Sequence, residues 1–211
     1  IMPETEVFHN IEDFFTIDNC LALLLMKKQE KPGVLIMSGD HRQKDKIKEM
    51  CSEKNWYWRV YGGSIEEKTF LDKTKRLTGL SSRDKFESAG IFVCRDPERF
   101  KILESSSGGF YGFTDSAVGD FLGYEDDAVE FYQGLKGTET AVTPYEDKVE
   151  ELVESGVLDE DELKYLELVF YVPVPDREHI MEAVETGMQR WKVLSSSEAG
   201  RRCLELLERQ L

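Results

Sequence analysis

The chain has 211 residues, of which 40% are hydrophobic and 33% charged, and a formal net charge of −15. This composition excludes intrinsic disorder, and the length is enough to bury a core without disulfide or metal staples. The acidity is local. Residues 120–167 carry 16 Asp and Glu against 3 Lys, a net of −13, whereas residues 34–102 carry 15 Lys and Arg against 11 Asp and Glu, a net of +4.

The four cysteines, Cys20, Cys51, Cys94 and Cys203, form no C-x-x-C pair, and His9, His41 and His179 lie beyond helical reach of one another. Zinc sites need ligands at short spacing. No metal and no cofactor is therefore expected, and the thiols are read as free, as in a reducing, cytoplasmic setting. The longest uncharged apolar run, Cys20–Met26, is far below the ~20 residues that span a bilayer. Neither a leader nor a membrane anchor is expected.

In chain order, Thr16–Lys31 reads as a helix opened by Thr16 or Asp18 and stopped by Pro32-Gly33, with Cys20–Met26 as its buried face. Val34–Met37 reads as a buried strand. Asp40 with Gln43 has capping-box spacing and opens a helix over Arg42–Glu53. Trp56–Tyr61 reads as a second strand. Gly62-Gly63 then makes a turn, and Ser64 with Glu67 opens a helix to about Leu77. Ile91–Cys94 is a third strand, and Asp96-Pro97 caps a short helix to about Glu104, with a hairpin in which Phe100–Leu103 is a strand as the alternative.

Further on, Gly108-Gly109-Phe110-Tyr111-Gly112-Phe113 is either an aromatic flap over a pocket or, preferably, a plug under the next helices. A helical pair follows, Thr114-Asp115 to Leu122 and Asp126–Tyr132, broken by Gly123. Gly134–Pro144 reads as a linker and Tyr145–Glu154 as an amphipathic helix with Val149, Leu152 and Val153 inward. Leu166–Val172 reads as a fourth strand. Asp176 caps a helix to about Leu194, and Ser195 with Glu198 opens a last helix whose apolar face is Cys203, Leu204 and Leu207.

Alternation of strands and helices over 34–104 predicts an α/β fold: a small, mostly parallel sheet flanked by helices. The whole chain is expected to be one domain, with a helical-pair insert at about 113–134 and the acidic segment at about 120–167.

In such sheets ligands collect beyond the carboxyl ends of the strands. Three turns qualify: 38–42 after the first strand, 62–64 after the second, and 94–96 after the third. Each leads to a helix start, where free N–H groups favour an anion. Asp40, Arg42, Gly62, Gly63, Ser64 and Arg95 are the expected contacts of a small anionic ligand, the arginines as forked donors and the glycines as points of close approach. His41 is the candidate for proton transfer. Cys94 is a nucleophile only if its thiolate is favoured there. The same residues also have plain explanations, as caps (Asp40, Ser64), core (Cys94) and surface (His41). No phosphate-binding glycine motif is present. The chain can therefore be an enzyme or merely a binder.

The acidic stretch to Glu162 lacks the spacing and glycine of a calcium loop. It reads as a solvated face or as a docking surface for a basic protein partner, and it argues against nucleic acid. Trp56, Tyr57 and Trp58 offer base-stacking surface, but they belong to the second strand.

Residues 112–124, Gly-Phe-Thr-Asp-Ser-Ala-Val-Gly-Asp-Phe-Leu-Gly-Tyr, continue to Ala128-Val129-Glu130-Phe131. With the preceding Gly-Ile-Phe-Val-Cys-Arg-Asp-Pro, this run resembles an uncharacterised, mainly archaeal family, domain of unknown function number 483. Glu125 stands where that family's pattern has Pro. The resemblance implies an archaeal cytosolic protein and brings no activity and no catalytic residue.

Overall fold

A computed structural model describes residues 8, 10–37, 41–61, 90–107, 111–134 and 142–211. In chain order its elements are α1 (Ile17–Lys27), β1 (Gly33–Met37), α2 (His41–Lys54), β2 (Tyr57–Tyr61), β3 (Gly90–Cys94), α3 (Phe100–Glu104), α4 (Asp115–Leu122), α5 (Asp126–Gly134), α6 (Val142–Glu154), α7 (Leu163–Leu166), α8 (Arg177–Ser195) and α9 (Glu198–Glu208). Single 3-10 turns precede α1, α3 and α7. No described helix is long and apolar enough to cross a membrane.

The expected parallel α/β sheet is not formed. The described residues are mostly helical, and the one sheet is antiparallel, in the order β1-β3-β2. β3 pairs Gly90 with both Met37 and Tyr61, and Cys94 with both Gly33 and Tyr57. The chain thus leaves β2 and re-enters β3 at the same end of the sheet. A parallel reading requires the connection to cross to the opposite end. The strands themselves fall where the apolar runs put them. β3 is buried at all five positions, as suits the central strand, while β2 alternates as an edge does.

The described chain divides into two compact units. The first holds residues 1–15 and 32–122, the second 16–31 and 123–211. The helical pair expected as one insert at 113–134 is divided between them after Leu122.

In the first unit the core is aromatic. Phe92 on β3 meets Tyr61, Tyr111, Phe113 and Phe121 edge-on, with ring centroids 5.3–5.9 Å apart. Tyr111 and Phe113 are thus a plug; Gly108, Gly109 and Phe110 lie outside the described residues. Gly33 lets α4 lie on β1, because a Cβ there would stand 2.6 Å from the carbonyl of Phe121. Arg99 donates to the carbonyls of Asp120 and Phe121 and so terminates α4 with a cation, as the helix dipole favours.

In the second unit α1 is buried on all sides from Cys20 to Met26, as its sequence predicts, and packs on α8 and α9. Gly187 brings α8 against α7: a Cβ there would lie 2.0 Å from the carbonyl of Tyr165. Leu152 and Leu158 join Ile180 and Val184 of α8 in a second apolar cluster.

Of the two openers read for α1, Thr16 is the cap, accepting from Asn19 N–H, and Asp176 caps α8 as read, accepting from His179 N–H. Two other expectations change. Ser195 is the last residue of α8, its hydroxyl donating to the Trp191 carbonyl, and Ser197 caps α9 instead. The stretch 166–172 is not a strand. Leu168 and Val169 are fully buried, and their carbonyls accept from Arg190 Nη1 at 2.8 and 3.0 Å. Phe170 turns the backbone at φ 68°. The apolar run reflects burial of an irregular segment whose backbone finds its partner in a guanidinium 21 or 22 residues away.

Candidate functional site

The three strand ends do not lie together. β1 and β2 end beside Gly90, at one end of the sheet, and Arg95 follows Cys94 at the other. Four residue steps along β3 separate the two ends, about 14 Å at the rise of an antiparallel strand. Asp40, Gly62, Gly63 and Ser64 lie outside the described residues, as does the side chain of His41. Arg42, in the first turn of α2, is exposed, with its guanidinium 5.4 Å from the centre of the Phe14 ring. Arg95 is half-buried, and its Nε is enclosed without a hydrogen-bond partner. No site joining both arginines is composed.

Cys94 is fully buried and its thiol donates to the Asp96 carbonyl at 3.1 Å. Burial pushes that thiol up to about 11, and the opposing effect of Arg99 does not reverse it. A neutral, enclosed thiol is no nucleophile near pH 7. Asp96 serves as the cap that its sequence suggests, accepting from Glu98 N–H at 3.0 Å.

The second unit holds a different kind of place. α6, the acidic turn after it and α7 enclose an open groove of about 1020 Å³. Its floor is apolar and half-buried: Tyr145, Val149 and Val153, four residues apart along α6, face Leu163 and Leu166. One wall is a second four-residue stripe of α6, Glu146, Glu150 and Glu154, all exposed. Glu160 and Asp161 from the turn, Glu167 after α7 and Glu208 of α9 line it as well. Seven carboxylates therefore surround the groove, with Lys164 the one cation among its lining residues.

Lys164 is already engaged. Its Nζ donates to Glu208 at 3.2 Å and stands 4.8 Å from the centre of the Trp191 ring. Among the described residues no other cation pairs with the rim. The Glu167 carboxyl is held above its ordinary value by partial burial and then by the charge of Asp18. The Tyr145 phenol is pushed up to about 12 by burial, with Glu167 and Glu146 adding to it. Both effects mark a region of negative potential over a weakly hydrated surface.

Asp159 and Glu162, part of the same acidic run, serve the backbone. The Glu162 carboxylate accepts from Asp159 N–H at 3.0 Å and fixes the turn before α7. Only Glu160 and Asp161 of that run face the groove. Among the described residues no group of three or more His, Cys, Asp or Glu side chains has metal-binding geometry.

Set against known proteins, the chain matches no family model, no curated sequence and no solved structure.

The groove's geometry sets its chemistry. The groove provides an anionic, partly desolvated surface that a cation-bearing apolar guest complements. Sequence reasoning identified the charge of this segment but not the groove. The signal lay in the adjacent four-residue stripes Tyr145/Val149/Val153 and Glu146/Glu150/Glu154, which put floor and wall side by side on one helix.

Proposed function

We propose that this chain is a non-catalytic interaction module that docks a basic segment of a partner protein in the groove beside α6. The observation that carries this reading is the imbalance at the groove: seven carboxylates and one lysine around a half-buried apolar floor, with that lysine already held by Glu208. Surface carboxylates are ordinarily interspersed with cations. A one-signed rim around apolar surface costs stability through mutual repulsion, and a guest bringing Lys or Arg relieves that cost while burying the floor.

The other reading, a small anionic ligand at the strand ends, loses its support because the turns of Arg42 and Arg95 stand at opposite ends of the sheet. The resemblance of residues 112–131 to an uncharacterised family brings no activity and adds nothing to either reading.

The test is calorimetric titration of the full chain with a lysine- and leucine-containing peptide. Glu150→Lys/Glu154→Lys should weaken binding at least tenfold, and Glu178→Lys/Glu185→Lys, on α8 away from the groove, should not. Equal loss from both pairs would mean that overall charge, not the groove, attracts the peptide. In that case the proposal fails.

A further inference from the structure

The groove also constrains the shape of its guest. Its walls are helices, and no strand occurs among the described residues of the second unit. An extended peptide gains most of its affinity by hydrogen-bonding its backbone to an open sheet edge. Here the backbone groups of α6 and α7 are largely engaged within their own helices. An extended guest would bury its N–H and C=O groups unpaired against them. A polyproline guest needs a row of aromatic side chains, and Tyr145 is the one aromatic residue lining the groove. A helix arrives with its backbone already satisfied.

The side chains agree with that form. Glu146, Glu150 and Glu154 rise about 6 Å per step and span about 12 Å. Cations four residues apart on a second helix have the same pitch. Carboxylates come from both segments that line the groove, this ladder from α6 and Glu160, Asp161 and Glu167 from the turn and α7 with its end, and each segment also supplies floor residues. The complementary guest therefore carries cations on both edges of one apolar stripe.

Resting on the docking reading above, we infer that the occupant is a basic amphipathic α-helix of at least two to three turns, with Lys or Arg flanking an i, i+3, i+4, i+7 apolar stripe on both sides.

Three peptides of one composition, about 16 residues of Leu, Ala and Lys plus one Pro, separate the two claims. The first places its apolar stripe and flanking lysines as above with Pro at its first helical position, the second is the same pattern with Pro at its centre, and the third is a scramble without the stripe. Each is titrated calorimetrically into the full chain and into its Glu150→Lys/Glu154→Lys form, with circular dichroism recording helix gained on mixing. Dichroism of the unmixed variant checks that it is folded. The inference expects the first peptide to gain helix and to bind at least tenfold tighter than the other two, with that advantage lost in the charge-reversed chain. Equal binding of all three, still lost in the charge-reversed chain, would overturn the helical guest and leave the docking of a basic segment standing. No binding, or binding indifferent to the charge reversal, would overturn both.

Discussion

The two units handle charge in opposite ways. In the sheet unit several of the described cations are taken up by the fold: Arg59 pairs with Glu104 and lies over the Phe100 ring, Arg99 closes α4, and Lys46 pairs with Glu49 beside the Phe14 ring. In the helical unit the carboxylates around the groove outnumber the cations, and the rim stays one-signed. A charged group already bound to a carbonyl or a counter-ion has little left to offer a partner. One whose neighbours are like-charged gains from any cation that arrives. The difference locates a binding surface in the helical unit, although the arginines of the sheet unit look more like site residues in the sequence.

The contrast can be broken from the structural side first. Arg190→Leu removes the donor to the buried carbonyls of Leu168 and Val169, and the expected loss is about 2–4 kcal/mol in urea unfolding. A loss below about 0.5 kcal/mol would mean that the irregular segment 167–175 does not depend on that guanidinium. Gly187→Ala forces α7 away from α8 and should cost about 1–3 kcal/mol. It should also weaken peptide binding, since Leu163, Leu166 and Glu167 move with α7. An unfolding midpoint unchanged by this substitution would contradict the close approach.

At the groove itself, the tenfold loss expected from Glu150→Lys/Glu154→Lys corresponds to about 1.4 kcal/mol of binding. The same pair should leave folding stability within about 0.5 kcal/mol or raise it slightly, because it relieves like-charge repulsion. Raising the salt from about 0.05 to about 0.5 M should weaken binding to the unaltered chain and have little effect on the variant. A substantial loss of stability would show instead that these carboxylates serve the fold.

The smallest effect is pH-dependent. His179 on α8 is bracketed by Asp176, 2.7 Å from Nδ1, and by Asp127 of α5, 3.3 Å from Nε2, and hydrogen bonding to both raises its pKa. A histidine whose folded value is raised contributes stability that is complete below about pH 6.5 and lost as pH rises through the folded value. The Asp176 carboxyl is lowered, chiefly by the N–H of His179, so its contribution is present above its ordinary value and lost as pH falls through the lowered one. The exposed setting limits the histidine contribution to at most about 1 kcal/mol. Unfolding free energy should decline as pH rises above about 6.5 and through the raised folded value, and His179→Gln should remove the decline. An identical decline in the variant would assign it elsewhere.

Much of the local structure is legible in the sequence because its causes are local. Thr16, Asp96, Thr114 and Asp176 cap what they precede, Gly123 ends α4 with φ 73°, and Cys20–Met26 is core. What is not legible depends on distant partners. Strand direction shows in the pairing of Tyr61 with Gly90, which starts β3 beside the end of β2, and neither β2 nor β3 records that in its own residues. The stretch 166–172 has the composition of a strand, yet its hydrogen-bond partner is a side chain on α8. Ser195 and Ser197 both suit a cap by type; packing decides for Ser197, since α8 runs on through Ser195. The candidate ligand turns depended on the parallel sheet and lost their common position with it. The acidic segment was visible as charge, but only the folding of α6 against α7 turns part of it into a groove.

The most direct test of the docking claim is nitrogen–proton correlation spectroscopy of the labelled full chain, titrated with the lysine–leucine peptide. Resonances of residues 145–167 and of Glu208 should shift together in saturable fashion, with those of Arg42, Arg95 and their neighbours unmoved. Shifts centred on the sheet unit, or scattered without saturation over all exposed carboxylates, would contradict the account.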